Sequence, residues 1–280
     1  TVTSEPRHII PAYTIGTSFE EHPFFEASSI RKIGGKYYFI YSSWQNHELC
    51  YATSDLPDRD FVFGGTIVSN GDVGYHGRSE KDRLNMTGTT HGSIECINGQ
   101  WYVFYHRLTH KSDYSRQACA EPITILPDGS IPQVEITSCG LNGKPLHGTG
   151  TYPAVIACNI TNGHMPHGSN KIYTDSFPNA THCGEDRFIG EIQNGTMLGY
   201  KYFAFSGAKE IGVQYRGSCN GKFVVSDDMD GKNIVAEIPV APADAWTESR
   251  APLHISDGTH PLYLFYRGDG EAAVKELYLA

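Results

Sequence analysis

Two stretches of this chain are one hairpin written twice. Ile30–Ser43 and Ile94–Arg107 align at an offset of 64 residues, each an aromatic and β-branched strand pair around a tight turn. The turn is Gly34-Gly35 in the first copy and Asn98-Gly99 in the second, dipeptides that supply the positive φ angles of a two-residue hairpin. Tyr37-Tyr38-Phe39-Ile40-Tyr41 and Trp101-Tyr102-Val103-Phe104-Tyr105 are rich in residues that fill a pleated, half-buried surface. A repeated β unit buries its faces by stacking on its copies, and in a β-propeller such units surround a central polar site. Just ahead of the first hairpin, in Phe24-Phe25-Glu26-Ala27-Ser28-Ser29-Ile30, one carboxylate stands at the mouth of the strand pair.

Up to about Ser138, short apolar runs are cut by Gly, Asn, Asp and Pro, with almost no helical periodicity, so the chain is expected to be all-β. The Gly-rich stretch Gly140–Gly150 lacks alternation. It divides the chain into a first unit over 1–139, a linker over 140–150 and a second β unit over 151–280. In the second unit, strands are expected at Ala154–Ala157, Gly199–Phe205, Glu210–Arg216, Lys222–Ser226, Asn233–Val240 and Pro261–Arg267, a spacing that suggests a sandwich.

With 280 residues, 39% of them hydrophobic, the chain can fill two moderate cores. A net charge of -9 and the lack of any Lys/Arg run exclude nucleic acid as an expected partner. No apolar run approaches the roughly 20 residues that span a bilayer, and Thr1-Val2-Thr3-Ser4-Glu5 has none of the regions of a signal peptide. No membrane partner is expected. The cysteines, Cys50, Cys96, Cys119, Cys139, Cys158, Cys183 and Cys219, are odd in number, scattered and never spaced Cys-x-x-Cys. They signal neither a disulfide framework nor a zinc site and are expected to be mostly buried thiols, which favours a cytoplasmic location over a secreted one. Asn-x-Thr triplets at Asn85, Asn159, Asn179 and Asn194 would matter in a eukaryotic secreted protein.

Six motifs in order carry a family resemblance: Gly16-Thr17-Ser18-Phe19-Glu20, Phe24–Ser29, His47–Ser54, Gly64–Asp72, Thr90-His91-Gly92-Ser93-Ile94 and Ser115–Ile123. Together they resemble glycoside hydrolase family 43, in its β-xylosidase and α-L-arabinofuranosidase branch. The resemblance implies a five-bladed propeller, of which Thr1 to Ser138 would supply about two blades, with Thr1–Ile10 as a strand leading into them. It implies an inverting hydrolase of xylan- and arabinoxylan-derived oligosaccharides, in which Glu26 is the general acid. Phe24 and Phe25 would provide apolar surroundings that suit a carboxyl group to that role. His91 matches a histidine near the propeller axis that holds a water network or a central cation, and Arg116 matches an arginine that reaches substrate or the catalytic carboxylates. Ser28, His47, Ser43 and Trp44 are further candidates for the sugar pocket, and His106 and Arg107 fall near the same face.

The family's general base is an Asp upstream of the Phe-Phe-Glu motif, whereas the first Asp here is Asp55. The base is therefore expected outside this sequence, and a second chain or fragment carrying the missing blades is an expected partner, since an open pair of blades leaves strand edges uncovered. Asp55, Asp58, Asp60 and Asp72 are the available substitutes, in turns where Asp is common for backbone reasons. The alternative is a non-catalytic carbohydrate-binding protein.

Thr151 to Ala280 resembles the β-jelly-roll of carbohydrate-binding module family 6, through Gly258–Phe265 and Asp230-Gly231-Lys232. The final strand lacks the Asn that such modules use. Trp246 and Tyr173 remain as stacking candidates, with burial in the sandwich the stronger expectation for Trp246. No cofactor is required, and a structural calcium has its candidate ligands in Asp227, Asp228 and Asp230.

Overall fold

The structure, a computed structural model, describes residues 5–168 and 172–280. Its first sheet has four antiparallel strands in chain order, β1 (Phe24–Ile33), β2 (Lys36–Ser43), β3 (Glu48–Ser54) and β4 (Val62–Ser69). A second sheet holds β5 (Ser93–Ile97), β6 (Gln100–Thr109) and β7 (Ser112–Ile123). The repeat holds to the residue: Ile30 faces Phe39 as Ile94 faces Val103, and Ile33 faces Lys36 as Ile97 faces Gln100.

Alternation along β2 sends Tyr38 and Ile40 to one side and Phe39 and Tyr41 to the other. The first pair joins Leu49, Tyr51 and Ile67 of its own sheet with Ile94, Val103, Tyr105 and Ile123 of the second. Full burial of one such side chain is worth about 1.5–3 kcal/mol, so this shared core holds the two blades face to face. They form an open stack, not a closed ring. Of the strand expected over Thr1–Ile10, the first four residues lie outside the described ones. Glu5–Ile10 is not a strand, and Ile9 and Ile10 pack instead onto the outer core of Phe19, Phe39 and Tyr41.

The second unit is a sandwich built from β8 (Leu146–His147), β9 (Gly150–Pro153), β10 (Asn159–Thr161), β11 (Asn179–Cys183), β12 (Asp186–Ile192), β13 (Met197–Phe205), β14 (Glu210–Gly217), β15 (Asn220–Ser226), β16 (Ile234–Val240), β17 (Ala243–Pro252), β18 (Gly258–Asp269) and β19 (Ala272–Leu279). One sheet runs β10-β13-β18-β15-β16 and the other β11-β12-β19-β14-β17, around a core that includes Tyr200, Phe203, Phe223, Leu264, Tyr266 and Val274. Ala154–Ala157, expected as a strand, contains a 3-10 turn over Ala154–Ile156, closed by the Ala157 amide donating to the Ala154 carbonyl at 3.0 Å. The Gly-rich stretch expected as a linker is itself woven in, because β8 pairs with β13 and β9 pairs with β19.

Polar contacts tie the units together. The Asn85 side chain completes a strand-like ladder, donating to Cys158 O at 2.8 Å and accepting from Ile160 N at 3.0 Å. Lys201 of β13 is fully buried and binds Glu135 at 2.7 Å and Asp72 at 3.2 Å. Arg107, expected near the site face, is buried the other way and donates to the Val155 and Ala157 carbonyls. Of the cysteines, Cys50, Cys158 and Cys219 are buried, whereas Cys96 and Cys183 are exposed at hairpin positions. Asn85, Asn159 and Asn179 are buried, so of the four triplets only Asn194 presents an exposed asparagine. No helix among the described residues is long and apolar enough to cross a membrane.

Candidate active site

The strand that carries Glu26 is irregular. Phe24 pairs with Ser43 and Glu26 with Ser42, leaving Phe25 as an extra residue, and Ala27 and Ser28 together oppose one residue before Ser29 meets Ile40. Such bulges bend a strand and re-aim its side chains. Ala27 takes φ 59, a left-handed conformation that costs a non-glycine residue about 1–2 kcal/mol. Glu26 leaves the ladder here and reaches across to the second blade, where its Oε1 lies 2.7 Å from His91 Nε2.

His91 comes from the matching place in the repeat, since Thr90-His91-Gly92 stands 64 residues after Glu26-Ala27-Ser28. Gly92 allows that approach: a Cβ there would lie 1.8 Å from the Phe104 carbonyl oxygen. Ser42 Oγ donates to the Thr90 carbonyl. Thr89 Oγ1 sits 3.2 Å from His91 Nε2 and 3.5 Å from Glu26 Oε1, a member of the cluster that the motif reading passed over. The only signal for it was its place beside Thr90-His91.

Behind His91 lies His106, whose Nδ1 accepts the His91 amide at 3.2 Å. Burial, reinforced by the charges of Arg116 and His91, pushes the His106 imidazole down to about 4. It is therefore neutral at physiological pH, and with Nδ1 accepting, Nε2 carries the proton. That Nε2 is buried, and the ring also meets the Thr89 backbone, so His106 supports the His91 segment from behind.

Phe25, freed by its bulge, sets its ring against Trp44 with centroids 4.7 Å apart. Trp44 is 62% exposed, so the pair forms an aromatic ledge at the same strand end as Glu26. Phe24 turns into the outer core beside Phe39 and Tyr41, at 5.8 Å from each. Ser28 is exposed on the bulge. Arg116 is exposed on β7 opposite Leu108 and lines a cleft of about 560 Å³. His47 is not part of this group. It is buried, with Nδ1 2.9 Å from Ser69 Oγ and its ring against His167, and burial pushes its imidazole down.

The substitute bases are placed elsewhere. Glu26 stands level with Ser42 and Leu49, whereas Asp55 follows the far end of β3, where Ser54 faces Tyr37, and it pairs with Lys36. Asp58 is engaged by Arg7 and Arg59, which also approaches Asp60. Asp72 is buried against Lys201 and accepts the Ile136 amide.

Among the described residues, one group of three His, Cys and acidic side chains is close enough to share an ion, His22, Glu48 and Cys50, and it excludes His91. Glu48 already accepts from His22, Ser43 and Thr66 at 2.5–2.8 Å. Burial acts to raise its carboxyl, but these bonds outweigh it and hold the group at about 2. The trio is thus satisfied as a hydrogen-bonded network. In the Asp-rich turn, Asp228 accepts from Lys232 N and Asn233 N, Asp227 from Asn233 Nδ2, and Asp230 pairs with Lys232. Those carboxylates are occupied by the turn itself. In the sandwich, Trp246 is half-buried, donates Nε1 to Asp186 and lies under the Arg216 guanidinium, whose centre is 4.4 Å from its ring.

The chain is 45% identical to a xylosidase/arabinosidase of Thermoclostridium stercorarium over its whole length, covering 61% of that protein. It is 22% identical to an arabinoxylan arabinofuranohydrolase of Paenibacillus polymyxa over 93% of the chain and 42% of that protein. It spans less than two thirds of the length of either relative. Among solved structures, a family 43 arabinoxylan arabinofuranohydrolase from Bacillus subtilis overlays 92% of the chain and 54% of its own, with a TM-score of 0.48 at 18% identity. A family 6 carbohydrate-binding module from Clostridium cellulolyticum overlays 48% of the chain and 98% of its own, with a TM-score of 0.40 at 15% identity. No protein-family model matches the chain. An overall identity of 45% across its whole length makes this chain a relative of a xylosidase/arabinosidase.

Proposed function

We propose that the chain serves the hydrolysis of xylose- or arabinose-bearing oligosaccharides, with Glu26 as the general acid. The observation that carries this reading is the Glu26–His91 contact, made between matching ends of two repeated strands. His91 and Thr89 engage Oε1, which leaves Oε2 to face the glycosidic oxygen and deliver the proton to it. The Phe25–Trp44 ledge offers a sugar ring an apolar face, and the exposed Arg116 offers donors to its hydroxyls. Inversion needs a second carboxylate about 6.5–9.5 Å from the first, with a water between. Asp55, Asp58, Asp60 and Asp72 have the engagements described above, so we take the base to come from sequence other than these residues.

A second reading, pentose binding without cleavage, is favoured by that same placement of the four aspartates. Hydrolysis of nitrophenyl β-xyloside and α-L-arabinofuranoside, with intact mass measured on the same sample, separates the two. Turnover that Glu26→Gln reduces by roughly 100-fold or more, with sugar binding retained, supports the acid. Undiminished turnover in that variant overturns it. Proton NMR of the first-formed sugar anomer tests inversion.

A further inference from the structure

The cleft that Arg116 lines has two walls from different units. Thr109, His110, Ser115 and Gln117 of the β6–β7 hairpin form one, and Ala180, Thr181, His182 and Arg187 of the β11–β12 hairpin form the other. The walls are pinned together where the His110 amide donates to the Ala180 carbonyl at 2.9 Å and His110 Nε2 meets His182 Nδ1 at 2.5 Å. His110 Nδ1 is in turn held by Ser115 Oγ at 2.8 Å.

Every ionisable side chain lining this cleft is basic: Arg116, Arg187, His110 and His182. That is unexpected in a chain of net charge -9. Among the described residues, neither Arg116 nor Arg187 is within ion-pair distance of a carboxylate, although Lys111, Lys201, Lys222, Lys275 and Arg250 all are. Arg187 faces His182 across its hairpin, which puts both on the same side of that wall. A volume of about 560 Å³ lies within the roughly 300–1,000 Å³ of small-molecule sites. Arg116 pairs with Leu108, two residues along β6 from His106, whose Nδ1 accepts the amide of His91, the partner of Glu26.

We propose that this cleft is a subsite for a carboxylate-bearing sugar, a uronic acid unit on the oligosaccharide, clamped between Arg116 of the first unit and Arg187 of the second. The planar guanidinium fork of each arginine matches a carboxylate in two parallel hydrogen bonds, while the threonine, serine and glutamine side chains serve the ring hydroxyls. The second unit then takes part in selecting the substrate's decoration. This rests on the reading of Glu26 and its neighbours as a sugar site, but not on turnover.

The test is isothermal titration of the whole chain with xylotriose and with xylotriose bearing one glucuronic acid branch, at low and high salt. The acidic ligand should bind roughly 5- to 50-fold tighter, and salt should weaken it alone. Arg187→Ala should erase the difference, and Arg187→Lys should keep part of it, circular dichroism confirming that both fold. Equal affinity of the two ligands overturns the proposal, as does an advantage that survives Arg187→Ala. Displacement of the acidic sugar by an equal concentration of inorganic phosphate also overturns it, in favour of a general anion site. Because binding is read directly, loss of the hydrolase reading through inactivity would leave this result standing.

Discussion

Ser29 and Ser93 hold the same place in the two repeated hairpins, and their Oγ atoms meet at 2.8 Å. Two residues on, the equivalent pair Arg31 and Glu95 lies 3.4 Å apart across the same seam. The leading strands of the two blades therefore run side by side, and this seam brings Glu26 and His91 together. The serine bond is half-buried and is worth about 1 kcal/mol, whereas the exposed ion pair contributes little.

If that bond is one shared interaction, Ser29→Ala and Ser93→Ala should each cost about 1 kcal/mol in urea denaturation, and the double variant scarcely more. Fully additive losses would show that the two hydroxyls act separately.

Gly92→Ala should be severe for so small a change. Its Cβ would lie 1.8 Å from a backbone oxygen and 2.7 Å from Leu49 Cδ1, so the segment holding His91 must shift. We expect a stability loss of about 1–3 kcal/mol and a loss of any turnover at temperatures where the variant remains folded. Thermal unfolding and an assay on the same sample check both. A variant as stable and active as the parent would contradict the geometry.

Lys201→Met should destabilise the chain by about 3–5 kcal/mol, because it leaves the buried carboxylate of Asp72 without its cation. Adding Asp72→Asn should recover part of the loss. Denaturation midpoints of the single and double variants measure this, and a single-variant cost under about 1 kcal/mol would mean that Lys201 does not neutralise the interface.

Acid should unfold the first blade through Glu48. Its folded-state carboxyl lies at about 2, below the ordinary 4.5, so its contribution is fully present above pH 4.5 and is lost as pH falls toward 2. The shift corresponds to roughly 3 kcal/mol. His22 is raised by its bond to Glu48, so its share is present below pH 6.5 and fades as pH rises through its folded value. Glu48→Gln should lower stability at pH 7 and flatten the dependence between pH 5 and 2, as followed by urea titration at each pH. An unchanged acid slope would place the titrating group elsewhere.

Much of the architecture was legible in local sequence. The hairpins around Gly34-Gly35 and Asn98-Gly99, and the strands at Glu210–Gly217, Asn220–Ser226 and Ile234–Val240, announce themselves by turn residues and β-formers a few positions apart. Strand β17 was missed because it is an edge, exposed along most of its length and carrying Asp244, Glu248 and Arg250 where a central strand would be apolar. Ala154–Ala157 has the apolar run of a strand, but its backbone turns to close the seam where Arg107 takes two of its carbonyls. His47 carried a motif position yet is sealed under Ser69 and His167, a burial that depends on a segment 120 residues later in the chain.

The sequence alone determined that this chain is all-β and that it carries one hairpin twice. Periodicity and turn chemistry act between near neighbours, so they survive in the sequence without knowledge of the fold. The tertiary structure decided which groups meet. The bulge at Ala27, the close passage of Gly92 against Phe104 and the presence of Arg116 and Arg187 in one cleft arise only when sheets from distant parts of the chain pack at fixed distances. Those contacts depend on shape complementarity between elements, which no single segment encodes.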